Sequence, residues 1–226
     1  MEITSGAYWS AEDKTSFSIQ ATAQYQKELQ SGNIKTASEE EINELILQGA
    51  AADGDEKSEI VNKLKEYGVY RLEPSLRIEE NSAQSVHPDN GDVTINEPDI
   101  YLLPWNNRWV VACGGHWNNN SWLTSSLYQN VGDADAFGVG YTHTTGNYQS
   151  LVTASSAWIS DESGEKKSTT TNRSDGDGAL GFGFRLQDYI FDKSIIGSNK
   201  GYVGYKWAGD VTYDDCFGSY SFIATS

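Results

Sequence analysis

YLLPWNNRWVVACGGHWNNNSW, residues 101–122, is the stretch of sequence that decides the fold. It holds four of the seven tryptophans and one of the two cysteines of the 226-residue chain. Its middle, residues 109–112, is a short apolar run with two valines, which predicts a buried strand. After residue 122, aromatic and β-branched residues occur in short runs, which are separated by Gly, Asn, Asp and Ser. The pattern predicts an antiparallel β-sandwich over residues 99–226.

The turn signals divide this second half into about seven strands. We expect strands near residues 99–103, 107–113, 136–144, 150–160, 180–190, 201–207 and 211–225. No helical period interrupts them. The two halves of the chain therefore differ in their secondary structure.

Residues 1–74 are acidic and have the apolar spacing of helices. Helices are expected over residues 11–29, 39–48 and 55–67. The second of them has a capping box, Ser38 with Glu41, and Gly49 is expected to end it. Gly68 is expected to end the third helix. The predicted fold class is therefore α+β, a small helical N-terminal region followed by an antiparallel β-sandwich.

Residues 75–98 are polar, contain prolines and show no sustained period, so they are predicted to be a linker. The acidic balance is strongest before this segment, while most tryptophans and glycines follow it. This asymmetry allows two interpretations of residues 1–74. They are either a helical subdomain that packs on the sandwich, or a pro-segment or arm that masks its aromatic surface until the linker is cleaved.

The formal net charge of −16 argues against a nucleic-acid partner, because phosphate binding needs clustered Lys and Arg. No apolar run is long enough for a transmembrane segment. The first residues lack the basic and apolar regions of a signal peptide, so the chain is either cytosolic or a mature secreted form. Abundant Asn, Ser, Thr, Gly and Tyr, with one Met, favour a secreted or cell-surface protein.

Cys113 and Cys216 are the two cysteines. Both fall at predicted strands, and a disulfide between them would close a loop of about 100 residues, a stabilising crosslink. The alternative is two buried free thiols, which are common in protein cores. We predict the disulfide.

Tryptophans beside asparagines are the most suggestive binding feature. An aromatic face suits the C–H groups of a sugar ring, and amides can bond its hydroxyl groups. The alternative is that these rings are core residues, since tryptophans bury large areas. The predicted ligand-binding residues are Trp105, Trp117, Asn118, Asn119 and Trp122.

Carboxylates allow two further chemistries. A pair of them flanking a cleft would serve glycoside hydrolysis, and the candidates are Asp133, Asp135, Asp188, Asp214 and Asp215. Carboxylates two residues apart in turns would suit a structural Ca²⁺ ion, and the candidates are Asp175 with Asp177 and Asp133 with Asp135. No other cofactor is predicted.

Motifs for other chemistries are missing: the sequence has no G-x-S-x-G, H-E-x-x-H, C-x-x-C or Gly-rich phosphate loop. The favoured hypothesis is a secreted or cell-surface binding protein without catalysis, which engages a glycan or cell-envelope component through aromatic loops. One alternative is a toxin or bacteriocin-like β protein with an N-terminal pro-region. The other is a glycoside hydrolase with an Asp pair.

Overall fold

The computed structural model describes residues 4–9, 11–74, 76–78, 93–119, 129–141, 151–165, 167–174, 181–192, 200–214 and 220–225. The helices in this part of the chain are α1 Ala11–Gln30, α2 Glu39–Ala51 and α3 Gly54–Glu66. The strands are β1 Thr4–Trp9, β2 Tyr70–Leu72, β3 Leu76–Ile78, β4 Val93–Ile95, β5 Asp99–Leu103, β6 Arg108–Trp117, β7 Gln129–Asn130, β8 Asp135–Tyr141, β9 Leu151–Ser160, β10 Lys167–Thr170, β11 Gly181–Leu186, β12 Tyr189–Asp192, β13 Lys200–Val203, β14 Lys206–Asp214 and β15 Tyr220–Thr225. None of the described helices has the length and apolar character that crossing a membrane requires.

The strands form three antiparallel sheets. A seven-stranded sheet, the central sheet, has the order β10-β9-β14-β6-β5-β2, and β4 pairs with the far end of β6. A five-stranded sheet, the outer sheet, has the order β11-β8-β15-β1-β3. The third sheet has the order β13-β12-β7.

The central sheet is buried on both faces. On β6, Val111 faces a core that it shares with Phe184 of the outer sheet, and both side chains are buried. Val110, the preceding residue on β6, faces the helices and packs in a second core with Ile46 and Leu64. A strand that is buried on both faces needs apolar residues at successive positions, which explains the uninterrupted apolar run in β6. The predicted α+β class with sandwich-like packing is confirmed.

The N-terminal 98 residues supply strands as well as helices. In the outer sheet, β1 lies between β15 and β3. In the central sheet, β2 pairs with β5 in the register Tyr70↔Leu102. The predicted linker, residues 75–98, contains β3 and β4, which pair with β1 and β6. Pairing along a sheet edge depends on the backbone of the neighbouring strand, so a polar segment without apolar alternation can still form a strand.

The helix signals are confirmed except at one glycine. Ser38 caps α2 by accepting a hydrogen bond from the Glu41 N–H at 3.1 Å. Gly68, with φ +78°, ends the turn after α3. Gly49 does not end α2, which continues to Ala51, and this prediction was wrong. A Cβ at Gly49 would lie 3.2 Å from Ile60 Cγ2, so the glycine serves close packing between α2 and α3.

Cys113 is a free thiol in the structure, which contradicts the predicted disulfide to Cys216. Its side chain is 2% exposed and packs in the core between the two large sheets. Burial raises the pKa of the Cys113 thiol well above its ordinary value, so the group behaves as a small apolar residue. Cys216 itself lies outside the described residues.

Candidate functional site

A groove with a volume of about 1160 Å³ lies between the N-terminal half of α2 and the helix-facing side of the central sheet. It exists because α2 crosses β6 and β14 and leaves part of β9 and edge strand β10 uncovered. The strand residues that line this part are mostly small or hydroxyl-bearing, among them Ala154, Ser156, Thr170 and Thr212. The volume exceeds the roughly 300–1,000 Å³ of ordinary small-molecule pockets, and the groove has room for an extended ligand.

A partly buried polar network joins α2 to the sheet beside this groove. Asn43 of α2 donates a hydrogen bond from Nδ2 to Asp210 Oδ2 at 3.0 Å. Ser156 Oγ of β9 lies 2.9 Å from Asn43 Oδ1 and 3.2 Å from Asp210 Oδ1. Asp210 of β14 is 1% exposed, and no described cation is paired with its carboxylate. Burial raises the pKa of Asp210 to about 7, although the hydrogen bonds from Ser156 oppose the shift.

Asp210 should therefore make stability depend on pH. An aspartate in the unfolded chain has a pKa of about 3.9, so between about pH 4 and 7 the folded protein binds the additional proton. The free energy of unfolding falls as pH rises through this window, by at most about 1.4 kcal/mol per pH unit for one group. We expect Asp210→Asn to remove this part of the slope in urea denaturation measured at a series of pH values.

Two other carboxylates with raised pKa values do not obscure that comparison. Burial also raises the pKa values of Asp135, to about 6, and of Asp188, and both groups remain in the variant. Asp133→Asn, at an exposed position, is the matched control and should follow the wild-type curve. Parallel curves for the wild type and Asp210→Asn would contradict the assignment.

Trp158 of β9 forms part of the groove wall and is 4% exposed. Its indole N–H is buried and has no hydrogen-bond partner among the described residues. Lys167 Nζ lies 4.9 Å from the centroid of the Trp158 ring, and it also forms an ion pair with Glu44 of α2. A buried N–H without an acceptor is costly in a folded protein, so a ligand oxygen in the groove would improve this site.

Trp105 lines the groove from the turn between β5 and β6. Asn106 holds the turn, because its N–H donates to Leu103 O and its Oδ1 accepts from the Arg108 N–H. Asn107 completes the turn with φ +54°, a conformation that asparagine tolerates. Trp105 is 36% exposed and its ring centroid lies 6.1 Å from that of Tyr25. The ring is a supported aromatic face that solvent can reach.

The structure separates the aromatic residues that the sequence grouped. Trp105 precedes β6, whereas Trp117 ends it, about 30 Å away at 3.3 Å per residue. Asn118 and Asn119 follow Trp117 at that far end, where Thr94 Oγ1 donates to Asn118 Oδ1 at 3.0 Å. Trp122 lies outside the described residues. Of the four predicted ligand-binding residues that the structure describes, only Trp105 lines the groove.

The candidate carboxylates are also distributed over the molecule. Asp188 is 2% exposed and accepts a hydrogen bond from the Tyr202 hydroxyl. Asp135 pairs with Leu186 in the register of β8 and β11, two residues before Asp188, so the two aspartates are near each other. Burial and the charge of Asp188 raise the pKa of Asp135. Asp214 instead forms an ion pair with Arg108 at 2.8 Å. The structure therefore brings Asp135 and Asp188 together. Asp215 lies outside the described residues.

The predicted calcium residues remain a prediction. Within the described residues, no group of three or more His, Cys, Asp and Glu side chains is placed to hold a metal ion. Asp133 precedes β8 and Asp135 begins it. Asp175 and Asp177 lie outside the described part of the chain.

Sequence reasoning missed the groove residues Asn43, Ser156 and Trp158. It also missed Asp210, which bonds to Asn43 and Ser156. Asp210 alone carried a usable signal, since it interrupts the otherwise apolar centre of β14. A charge at such a position is rarely buried unless it is hydrogen-bonded or functional. Comparison of this chain with protein-family models, with curated proteins and with solved structures finds no match.

Proposed function

We propose that this protein is a secreted or cell-surface binding protein without catalytic activity, and that it holds a glycan or cell-envelope component in the groove beside α2. One observation carries the proposal: the groove combines an accessible tryptophan, Trp105, with a buried indole N–H, that of Trp158, which lacks an acceptor. The first suits the apolar face of a sugar ring, and the second suits one of its oxygens.

The other lining groups support a ligand rich in hydroxyl groups. Thr169, Thr170 and Thr171 supply hydroxyl groups along β10 and after it, and Asn106 and Asn172 supply amides. Such neutral donors and acceptors match sugar hydroxyls. Oligosaccharides of several residues are the ligand size that the groove volume favours.

We expect Trp105→Ala to weaken glycan binding about tenfold, because an aromatic contact of this kind contributes about 1.4 kcal/mol. Isothermal titration calorimetry against a panel of cell-wall oligosaccharides measures the effect. Trp117→Phe is the matched control at the far end of β6 and should bind like the wild type. Loss of binding in Trp117→Phe, with Trp105→Ala unaffected, would contradict the groove as the binding site.

A glycoside hydrolase is the second candidate, and the proximity of Asp135 and Asp188 favours it. A pair of carboxylates with raised pKa values can include a general acid. However, the Tyr202 hydroxyl already occupies one Asp188 oxygen. Release of reducing sugars from the same panel, abolished by Asp135→Asn, would replace the binding proposal with this one.

The toxin or bacteriocin-like alternative requires residues 1–74 to act as a removable pro-region. The contacts of that segment disfavour this. β1 lies within the outer sheet, β2 pairs with β5, and α2 covers one face of the central sheet. Removal of residues 1–74 would expose the apolar side chains that now pack against α2 and α3.

A further inference from the structure

The α2 wall of the groove is strongly acidic. Glu39, Glu40, Glu41 and Glu44 all line it. The first three lie in the first turn of α2, where the helix dipole also favours them. Stabilisation of α2 explains why acidic residues occur in this turn. It does not neutralise the wall that they present to a ligand.

Two cations beside the groove, Arg108 and Lys167, are already paired with carboxylates. Arg108 binds Asp214 at 2.8 Å, and Lys167 binds Glu44. Glu41 accepts a hydrogen bond from the Tyr67 hydroxyl, which carries no charge. Glu39, Glu40 and Glu41 have no ion-pair partner among the described residues, so the α2 wall of the groove carries unpaired negative charge.

The opposite wall points to a ligand independently of this charge. The buried Trp158 N–H needs an acceptor, and the neighbouring side chains of β10 offer hydroxyl groups. A ligand that satisfies both walls has oxygen acceptors on one side and positive charge on the other. Anionic glycans have the oxygen acceptors, but the acidic α2 wall repels their negative charge.

We propose that the groove selects glycans whose sugars carry free amines over neutral and acidic glycans. This inference rests on the proposed glycan-binding function and names the class of glycan. The protonated amines would lie against Glu39 and Glu40, and hydroxyl or ring oxygens of the sugar would accept the Trp158 N–H. Because Glu39 and Glu40 are exposed, their attraction for the amines should weaken with added salt.

The test uses the full chain and three oligosaccharides of equal length: a glucosamine oligomer, its N-acetylated form and an oligogalacturonate. At about pH 5.5 and low salt, we expect the glucosamine oligomer to bind about tenfold more tightly than the N-acetylated form, and the oligogalacturonate to bind least. The preference should shrink to about twofold in roughly 0.5 M salt.

A double variant assigns the preference to the α2 wall. Glu39→Gln with Glu40→Gln should reduce the preference to about twofold, because it weakens binding of the glucosamine oligomer more than binding of the N-acetylated oligomer. Asp55→Asn with Glu59→Gln removes the same charge from exposed positions on α3 and should keep the full preference. Circular dichroism on both variants checks that α2 remains folded.

The outcomes separate this inference from the proposed function. Equal binding of the glucosamine and N-acetylated oligomers would overturn the amine preference and leave glycan binding standing. No binding of any oligosaccharide would overturn the proposed function itself. Binding of a lysine-rich peptide of equal charge as tightly as the glucosamine oligomer would overturn the assignment to a sugar.

Discussion

Asp99→Ala is expected to lower the free energy of unfolding by about 3–5 kcal/mol, the largest effect of any single substitution that we predict. Asp99 is fully buried at the start of β5. Its Oδ1 lies 2.6 Å from Arg71 Nε of β2, and its Oδ2 lies 2.9 Å from Lys57 Nζ of α3. Removal of the carboxylate would leave two partly buried cations without their partner, and breaking a buried pair costs far more than the pair contributes.

The charges around Arg71 support this expectation. Burial alone would lower the pKa of Arg71, yet the carboxylates of Asp99 and Glu73 raise it above its ordinary value. A guanidinium stays protonated even when it is partly buried, so Arg71 remains a cation in the variant and loses the stabilisation that Asp99 provides. Urea denaturation at about pH 7 measures the difference.

Glu73→Ala is the matched control, since Glu73 also pairs with Arg71 but its side chain is 66% exposed. We expect it to cost at most about 1 kcal/mol, as exposed ion pairs do. Asp99→Asn should be intermediate, because it keeps the shape of the side chain and loses its charge. Equal effects of Asp99→Ala and Glu73→Ala would show that the buried pairs with Asp99 do not hold β2 and α3 on the sheet.

Gly114→Ala is expected to destabilise the protein by about 3 kcal/mol through displacement of α2. Gly114 lies on β6 beneath the C-terminal end of α2. A Cβ there would lie 2.7 Å from Trp207 O and 2.8 Å from both the carbonyl carbon and oxygen of Ala50. All three atoms are backbone, so no side-chain rotation can relieve the overlap.

Neighbouring residues show why α2 cannot shift cheaply. Asn96 donates from Nδ2 to Ala50 O at 2.8 Å and to Ala52 O at 2.9 Å. His116 Nδ1 lies 3.2 Å from Ala51 O. These contacts satisfy carbonyl groups at the end of α2 that have no partner inside the helix. An outward movement of α2 would break them and would also open the groove.

Gly140→Ala is the matched control for Gly114→Ala. Gly140 is also a strand glycine, but a Cβ there meets no atom of the described residues within 4 Å. Thermal unfolding should show a large loss of stability for Gly114→Ala and almost none for Gly140→Ala. A similar small loss in both would mean that α2 is not seated tightly against β6.

The local elements followed from local physics. Ser38 with Glu41 predicted the start of α2 because a capping box satisfies N–H groups within one turn. Gly68 predicted the end of α3 because the required positive φ favours glycine. The prediction at Gly49 was wrong because this glycine is required by tertiary packing and not by the end of the helix. It makes room for Ile60 of α3. A glycine near a helix end has the same local sequence pattern in either case.

The candidate site was less accessible from the sequence. Trp105 was predicted as a ligand-binding residue and lines the groove, but Trp117 lies at the other end of β6. Closeness in sequence indicates closeness in space within a turn but not along an extended strand of ten residues. Asn43 and Asp210 are 167 positions apart and meet through the packing of α2 on β14. A local sequence pattern does not predict such a contact.

The sequence by itself determined the class of the fold, the helices and most strands after residue 98, because hydrophobic period, caps and turn residues act over a few positions. It did not predict β1, β7 or β10. It also determined the acidic character of α2 and the apolar run of β6. Only the tertiary structure decided that residues 1–98 complete both large sheets, that Cys113 is a free core thiol, and that the groove forms where α2 leaves β9 and β10 uncovered. These features depend on strand pairing and layer packing between segments that are far apart in the sequence. A local sequence pattern does not predict the free energy of such contacts.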